Sequence, residues 1–61
     1  MSKRTFKNGC AVTTYQSNNG YVTEIIGKFG DVLRLTYDFT EAQALRSHEK
    51  YLADILQGNF A

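Results

Sequence analysis

A chain of 61 residues with a net charge of +1 holds one domain, and an apolar content of 43% argues against intrinsic disorder. Its single cysteine excludes an intrachain disulfide, and its single histidine excludes a Cys/His zinc site built from this chain alone. No apolar run approaches the roughly 20 residues that span a bilayer. Lys3 and Arg4 are not followed by the apolar region of a signal peptide. We therefore expect a cytoplasmic protein without a membrane partner.

Residues 1–9 predict a flexible basic arm that precedes the domain. The segment is polar and basic, its one aromatic residue is Phe6, and Asn8-Gly9 marks a turn. Chain termini fray unless they are held by a sheet or a core. The alternatives to a frayed terminus are an arm that docks through Phe6 or touches an anionic partner, and an arm that folds back over the free face of the sheet.

Three antiparallel strands are predicted at 11–17, 21–26 and 32–37, where β-branched and aromatic residues concentrate. Asn19-Gly20 separates the first two strands, and this dipeptide favours a type I′ turn because both central residues need a positive φ. The two glycines in 27–31 suit a five-residue hairpin loop before the third strand.

A C-terminal helix is predicted over 41–57. Thr40 and Gln43 have the spacing of a capping box, and Gly58 suits the left-handed position after the last turn. The predicted apolar stripe of this helix consists of Ala44, Leu45, His48, Tyr51, Leu52, Ile55 and Leu56. We interpret His48 as a core-edge histidine with a hydrogen-bond partner. The predicted fold class is therefore α+β: one βββα domain over 10–58, with the helix on one sheet face and 59–61 as a tail.

The predicted turns set the strand register and hence the two faces of the sheet. One face collects Val12, Thr14, Tyr21, Ile25, Leu33, Leu35 and Tyr37, and we expect the helix to cover it. The other face collects Thr13, Tyr15, Val22, Glu24, Ile26, Val32, Arg34 and Thr36, with Glu24 opposite Arg34. One helix covers one face, so the apolar group of Tyr15, Val22, Ile26 and Val32 is predicted to stay uncovered.

The sequence carries no recognisable catalytic, metal or cofactor pattern, and we expect a protein that is not an enzyme. Nothing in the sequence places Cys10 beside His48, as a nucleophile and its base require. The carboxylates lack the spacing of a calcium loop, and Gly27-Lys28-Phe29-Gly30 lacks the Gly-Lys-Ser/Thr ending of a phosphate loop.

The uncovered face predicts protein binding through Tyr15, Val22, Glu24, Ile26, Val32 and Arg34, because interface centres are rich in aromatic residues and poor in charge. The expected partner is another protein, either a host protein or a second copy that forms a homodimer through this face. The alternative interpretation is that the face is an ordinary half-apolar exposed sheet with no binding role. In size and layout the chain resembles the small accessory proteins of phages and mobile elements, including anti-CRISPR inhibitors. That resemblance implies an inhibitor or adaptor that occludes a partner surface.

The alternative function is sequence-specific DNA binding. The strands followed by Phe39-Thr40-Glu41-Ala42-Gln43-Ala44 resemble the AP2 and integrase arm-binding type of βββα module, which implies a sheet that reads the major groove. The candidate contacts are Lys3, Arg4, Lys7, Lys28 and Arg34. Residues 1–30 hold four basic and one acidic residue, and residues 31–61 hold three basic and five acidic residues, so neither half has the dense basic cluster of a strong phosphate binder.

Overall fold

A computed structural model describes residues 2–58 as one antiparallel sheet with a C-terminal helix packed on one face, which confirms the α+β class. The sheet has four strands rather than three, and they lie side by side in chain order. The elements are β1 (Ser2–Lys7), β2 (Cys10–Ser17), β3 (Gly20–Ile26), β4 (Val32–Asp38) and α1 (Glu41–Leu56). The predicted tail at 59–61 and residue 1 lie outside the described residues.

The additional strand is β1, the segment that was predicted from the sequence to be a flexible arm. Strand β1 pairs with β2 along its whole length, from Ser2 opposite Tyr15 to Lys7 opposite Cys10. The turn between them is Asn8-Gly9, with φ values of 51° and 82°. Asparagine and glycine tolerate this left-handed region best, so the dipeptide closes a tight hairpin and ties the terminus to the sheet.

The predicted turn between β2 and β3 is wrong by one residue. Ser17 pairs with Gly20, so the two loop residues are Asn18 and Asn19, and Gly20 is the first residue of β3. Asn18, Asn19 and Gly20 all have a negative φ, so the turn is not of the predicted type I′. Each partner is displaced by two positions from the predicted register, and an even displacement leaves every side chain on its predicted face.

A bulge between β3 and β4 reverses the predicted faces of β4. Ile26 pairs with Val32 as predicted, but the next pair is Ile25 with Arg34, which leaves Leu33 without an opposite residue. This slip of one residue turns the rest of β4 over. Glu24 therefore pairs with Leu35 rather than with Arg34.

Because of the bulge, the predicted face is wrong for five residues of β4. Leu33, Leu35 and Tyr37 were predicted in the core, but their exposed fractions are 42%, 41% and 73%. Arg34 and Thr36 were predicted on the uncovered face, but they pair with Ile25 and Thr23, whose side chains lie beneath α1.

The hydrophobic core joins one face of β2 and β3 to α1. It consists of Cys10, Val12, Ile25, Tyr51 and Ile55, and the partly buried Leu52 packs against it. The helix begins at the predicted capping box, where Thr40 Oγ1 accepts a hydrogen bond from Gln43 N at 3.2 Å. It ends one residue earlier than predicted, and Gly58 has a φ of 82° as expected for the residue after the helix cap.

Hydroxyl groups on the strands complete the contact between sheet and helix. His48 is fully buried, with Thr5 Oγ1 2.9 Å from its Nε2 and Thr14 Oγ1 2.8 Å from its Nδ1, which confirms the predicted hydrogen-bonded histidine. Thr14 also bonds Thr23 at 3.0 Å, and Thr36 on β4 bonds the Tyr51 hydroxyl. Threonine side chains from three strands, β1, β2 and β4, therefore hydrogen-bond to His48 or Tyr51 and help to fix the position of the helix on the sheet.

We expect acid to destabilise the fold through His48. Burial, and to a lesser degree the charge of Lys3, lower the pKa of His48. The unfolded chain keeps the ordinary value of about 6.5, so below that pH it binds a proton that the folded state excludes. The free energy of unfolding should then fall by at most about 1.4 kcal/mol per pH unit, until the folded pKa is reached.

Urea unfolding at several pH values between 7 and 5 measures this dependence. The control variant is His48→Gln, whose amide keeps a donor and an acceptor but does not titrate. We expect a flatter dependence in the variant. The same slope in both proteins would show that the histidine is not the group responsible.

Candidate functional site: the open sheet face

The open sheet face is the side of the sheet that α1 does not cover. Strand pairing and side-chain alternation arrange its residues in three rows that cross all four strands. From the β2–β3 turn towards the other end, the rows are Ser2, Tyr15, Val22 and Tyr37; Arg4, Thr13, Glu24 and Leu35; and Phe6, Ala11, Ile26 and Val32.

The two outer rows are mainly apolar. In the first row, Val22 lies between Tyr15 and Tyr37, and only 3% of it is exposed although no helix covers it. The rings on either side therefore form the outer surface here. In the third row, Phe6 and Val32 stand at the two sheet edges and are 74% and 52% exposed.

Three of the four residues in the middle row are polar, and they hydrogen-bond within the row and to Tyr15 in the first row. Arg4 Nε donates a hydrogen bond to Thr13 Oγ1 at 3.2 Å. Partial burial raises the pKa of Tyr15, and the nearby Glu24 carboxylate raises it further through its charge and a hydrogen bond with the Tyr15 hydroxyl. The Tyr15 hydroxyl therefore already has a hydrogen-bond partner within the open sheet face.

A shallow depression lies at the Phe6 end of the open sheet face. Its lining includes Arg4, Phe6, Ala11, Ile26 and Lys28. A lining that combines apolar side chains with two cations suits a side chain that has an apolar stem and a negative or hydrogen-bonding end. The depression gives the face a concave feature that a flat sheet lacks.

The structure places five of the six predicted protein-binding residues on this face: Tyr15, Val22, Glu24, Ile26 and Val32. Arg34 lies on the helix side because of the bulge. The sequence prediction missed Phe6, Leu35 and Tyr37. Phe6 and Arg4 lie on the same face of β1, but nothing in this six-residue terminal segment indicates that it pairs with β2. No glycine or proline in β4 marks the bulge that exposes the other two.

The five residues proposed for nucleic-acid contact are not brought together. Arg4 lies on the open sheet face, whereas Lys3, Lys7 and Arg34 pair with Thr14, Cys10 and Ile25 on the helix side. Lys28 lies in the β3–β4 loop, with its Nζ 5.4 Å from the centre of the Phe29 ring. These cations therefore form no continuous stripe along one face.

Comparison with known proteins found no relative of this chain. The chain matches no protein-family model, no curated protein and no solved structure. Within residues 2–58, no helix is both long and apolar enough to cross a membrane. The same part of the chain holds no cluster of three His, Cys, Asp or Glu side chains that could bind a metal ion. The geometry of the open sheet face therefore carries the functional argument.

Proposed function

We propose that this protein is a small non-catalytic binding module that docks its open sheet face on another protein and occludes that partner's surface. The observation that carries the proposal is the pair of apolar rows that no element among residues 2–58 covers. Each row places several apolar side chains next to one another, whereas the apolar residues of an ordinary exposed surface are scattered singly.

The composition of the face supports a protein partner over a nucleic acid. Tyrosine is enriched at protein interfaces, where its ring supplies apolar area and its hydroxyl supplies a hydrogen bond. Tyr15 and Tyr37 flank a buried valine, and Phe6 adds a third ring. The charges of Arg4 and Glu24 offset each other, whereas a sheet that reads DNA presents several cations to phosphates and bases.

The proposal predicts that removing two rings from the face abolishes capture of the partner. We expect the double variant Phe6→Ala with Tyr15→Ala to weaken binding by at least about 30-fold, because the loss of even one aromatic anchor commonly costs about 2 kcal/mol or more. The measurement is affinity capture from the source cell with quantitative mass spectrometry, using the tagged wild-type protein and the variant in parallel.

The matched control is Glu49→Ala with Lys50→Ala, two exposed positions on α1 away from the sheet. A partner retained by this control and lost by the face variant supports the proposal, provided that circular dichroism shows both variants folded. Loss with the helix variant alone would contradict it. Capture that disappears on nuclease treatment and weakens steeply with salt would instead indicate nucleic-acid binding.

A further inference from the structure

We propose that the outer edge of β4 pairs with β4 of a second copy, which would join two four-stranded sheets into one of eight strands. Strands β1 and β4 are the two edges of the sheet. Among the described residues, no strand lies on the outer side of β4, so one row of its backbone groups faces outward. This inference does not depend on the proposed function, because it concerns an edge rather than the open sheet face.

The two edges differ in how they resist pairing. Strand β1 carries Lys3, Arg4 and Lys7 within six residues, and dense lysine and arginine are a usual protection of an exposed edge. Strand β4 carries one cation, Arg34, and one anion, Asp38, four residues apart. No proline interrupts β4, and its bulge lies at the start, which leaves Arg34–Asp38 regular.

The charges of β4 select one register for antiparallel self-pairing. When Thr36 lies opposite Thr36 of the second copy, Arg34 lies opposite Asp38 of that copy, and two-fold symmetry repeats the pair. Leu35 then lies opposite Tyr37, also twice, on the open side of the sheet. A register centred on Leu35 places Arg34 opposite Thr36 and forms no charge pair. Directly opposite residues of unlike charge stabilise strand pairing, so the Thr36 register is favoured.

The arrangement leaves room for both helices. α1 lies mainly over β2 and β3. With strands about 4.8 Å apart, the two helix axes would lie roughly 19 Å from each other, beyond the helix diameter of about 10 Å. Asp38 already accepts a hydrogen bond from Ser47 through Oδ2 at 2.8 Å, and a carboxylate can accept further bonds from a guanidinium. The pairing therefore requires no repacking of the core.

Two single charge reversals test the register. Arg34→Asp gives a chain with acids at both positions, and Asp38→Arg gives a chain with cations at both positions, so each variant places like charges opposite each other when it self-pairs. An equimolar mixture of the two restores both pairs in a heterodimer. The measurement is sedimentation velocity over a concentration series, with one variant labelled in the mixture.

We expect the wild-type chain to dimerise, each single variant to self-associate at least about tenfold more weakly, and the mixture to return to within about threefold of the wild type. Three outcomes would overturn the proposal: a wild-type chain that stays monomeric up to about 1 mM, single variants that dimerise as well as the wild type, or folded variants whose mixture stays monomeric. A wild-type chain that stays monomeric overturns the proposal even if a variant does not fold, whereas the loss in the variants and its recovery in the mixture assign a dimer to the β4 edge rather than to the open sheet face.

Discussion

Replacing Ile25 with alanine is expected to destabilise the fold by about 2–5 kcal/mol, the usual cost of removing most of a fully buried aliphatic side chain. Ile25 has no exposed surface and belongs to the cluster that joins the sheet to α1. A domain of this size is stabilised by only about 3–5 kcal/mol. The variant should therefore lose most of its free energy of unfolding, as urea titration followed by circular dichroism would show.

The matched control is Ile26→Ala at the next position. The lost atoms and the change in strand propensity are the same, but Ile26 lies on the open sheet face and is only half-buried. We expect a loss of about 1 kcal/mol there, in line with the smaller apolar area returned to water. Equal losses at the two positions would mean that the sheet does not have one covered and one open face.

Gly20→Ala should destabilise the protein by about 1–3 kcal/mol, the usual range for forcing extra atoms into a filled site. A Cβ built on Gly20 would lie 2.4 Å from the backbone carbonyl oxygen of Asp38. Neither Gly20 nor the end of β4 can yield without shifting a strand. Chemical denaturation of the variant and the wild type measures the difference.

Gly27→Ala is the control for this prediction. The Cβ at that position would lie 2.8 Å from Oδ1 of Asp31, which is the end of a side chain and can rotate away. Neither glycine has a positive φ, so the two substitutions differ mainly in what the new methyl group meets. A larger loss at Gly27 than at Gly20 would contradict the reason given for the glycine in β3.

The two proposed surfaces are neighbours on the molecule. Leu35 and Tyr37 lie on the open sheet face and also belong to β4, the strand proposed to pair with a second copy. Pairing of β4 strands would place the two open faces side by side on one side of the joined sheet. If both proposals hold, each dimer presents two equivalent docking surfaces, and a partner with two sites would bind more tightly through multivalency.

Local signals predicted the helix and its ends well. The Thr40–Gln43 capping box and Gly58 act within a few residues, and their geometry follows from backbone groups that each helix end leaves unsatisfied. The predicted apolar stripe contains all four buried residues of the helix, Ala44, His48, Tyr51 and Ile55, but its last member, Leu56, is 61% exposed. For β2 and β3, the alternation of side chains predicted the faces correctly although the turn was placed one residue late.

The composition of residues 11–37, the helix caps and the apolar stripe thus determined the α+β class and the covered side of the two central strands. Only the tertiary structure decided that residues 2–7 join the sheet, that Leu33 bulges out of β4, and that Gly20 is needed beside Asp38. Each of these depends on a partner strand rather than on local preference. Because side chains alternate with a period of two, a single bulged residue exchanges the faces of β4, and a reading of local patterns does not detect it.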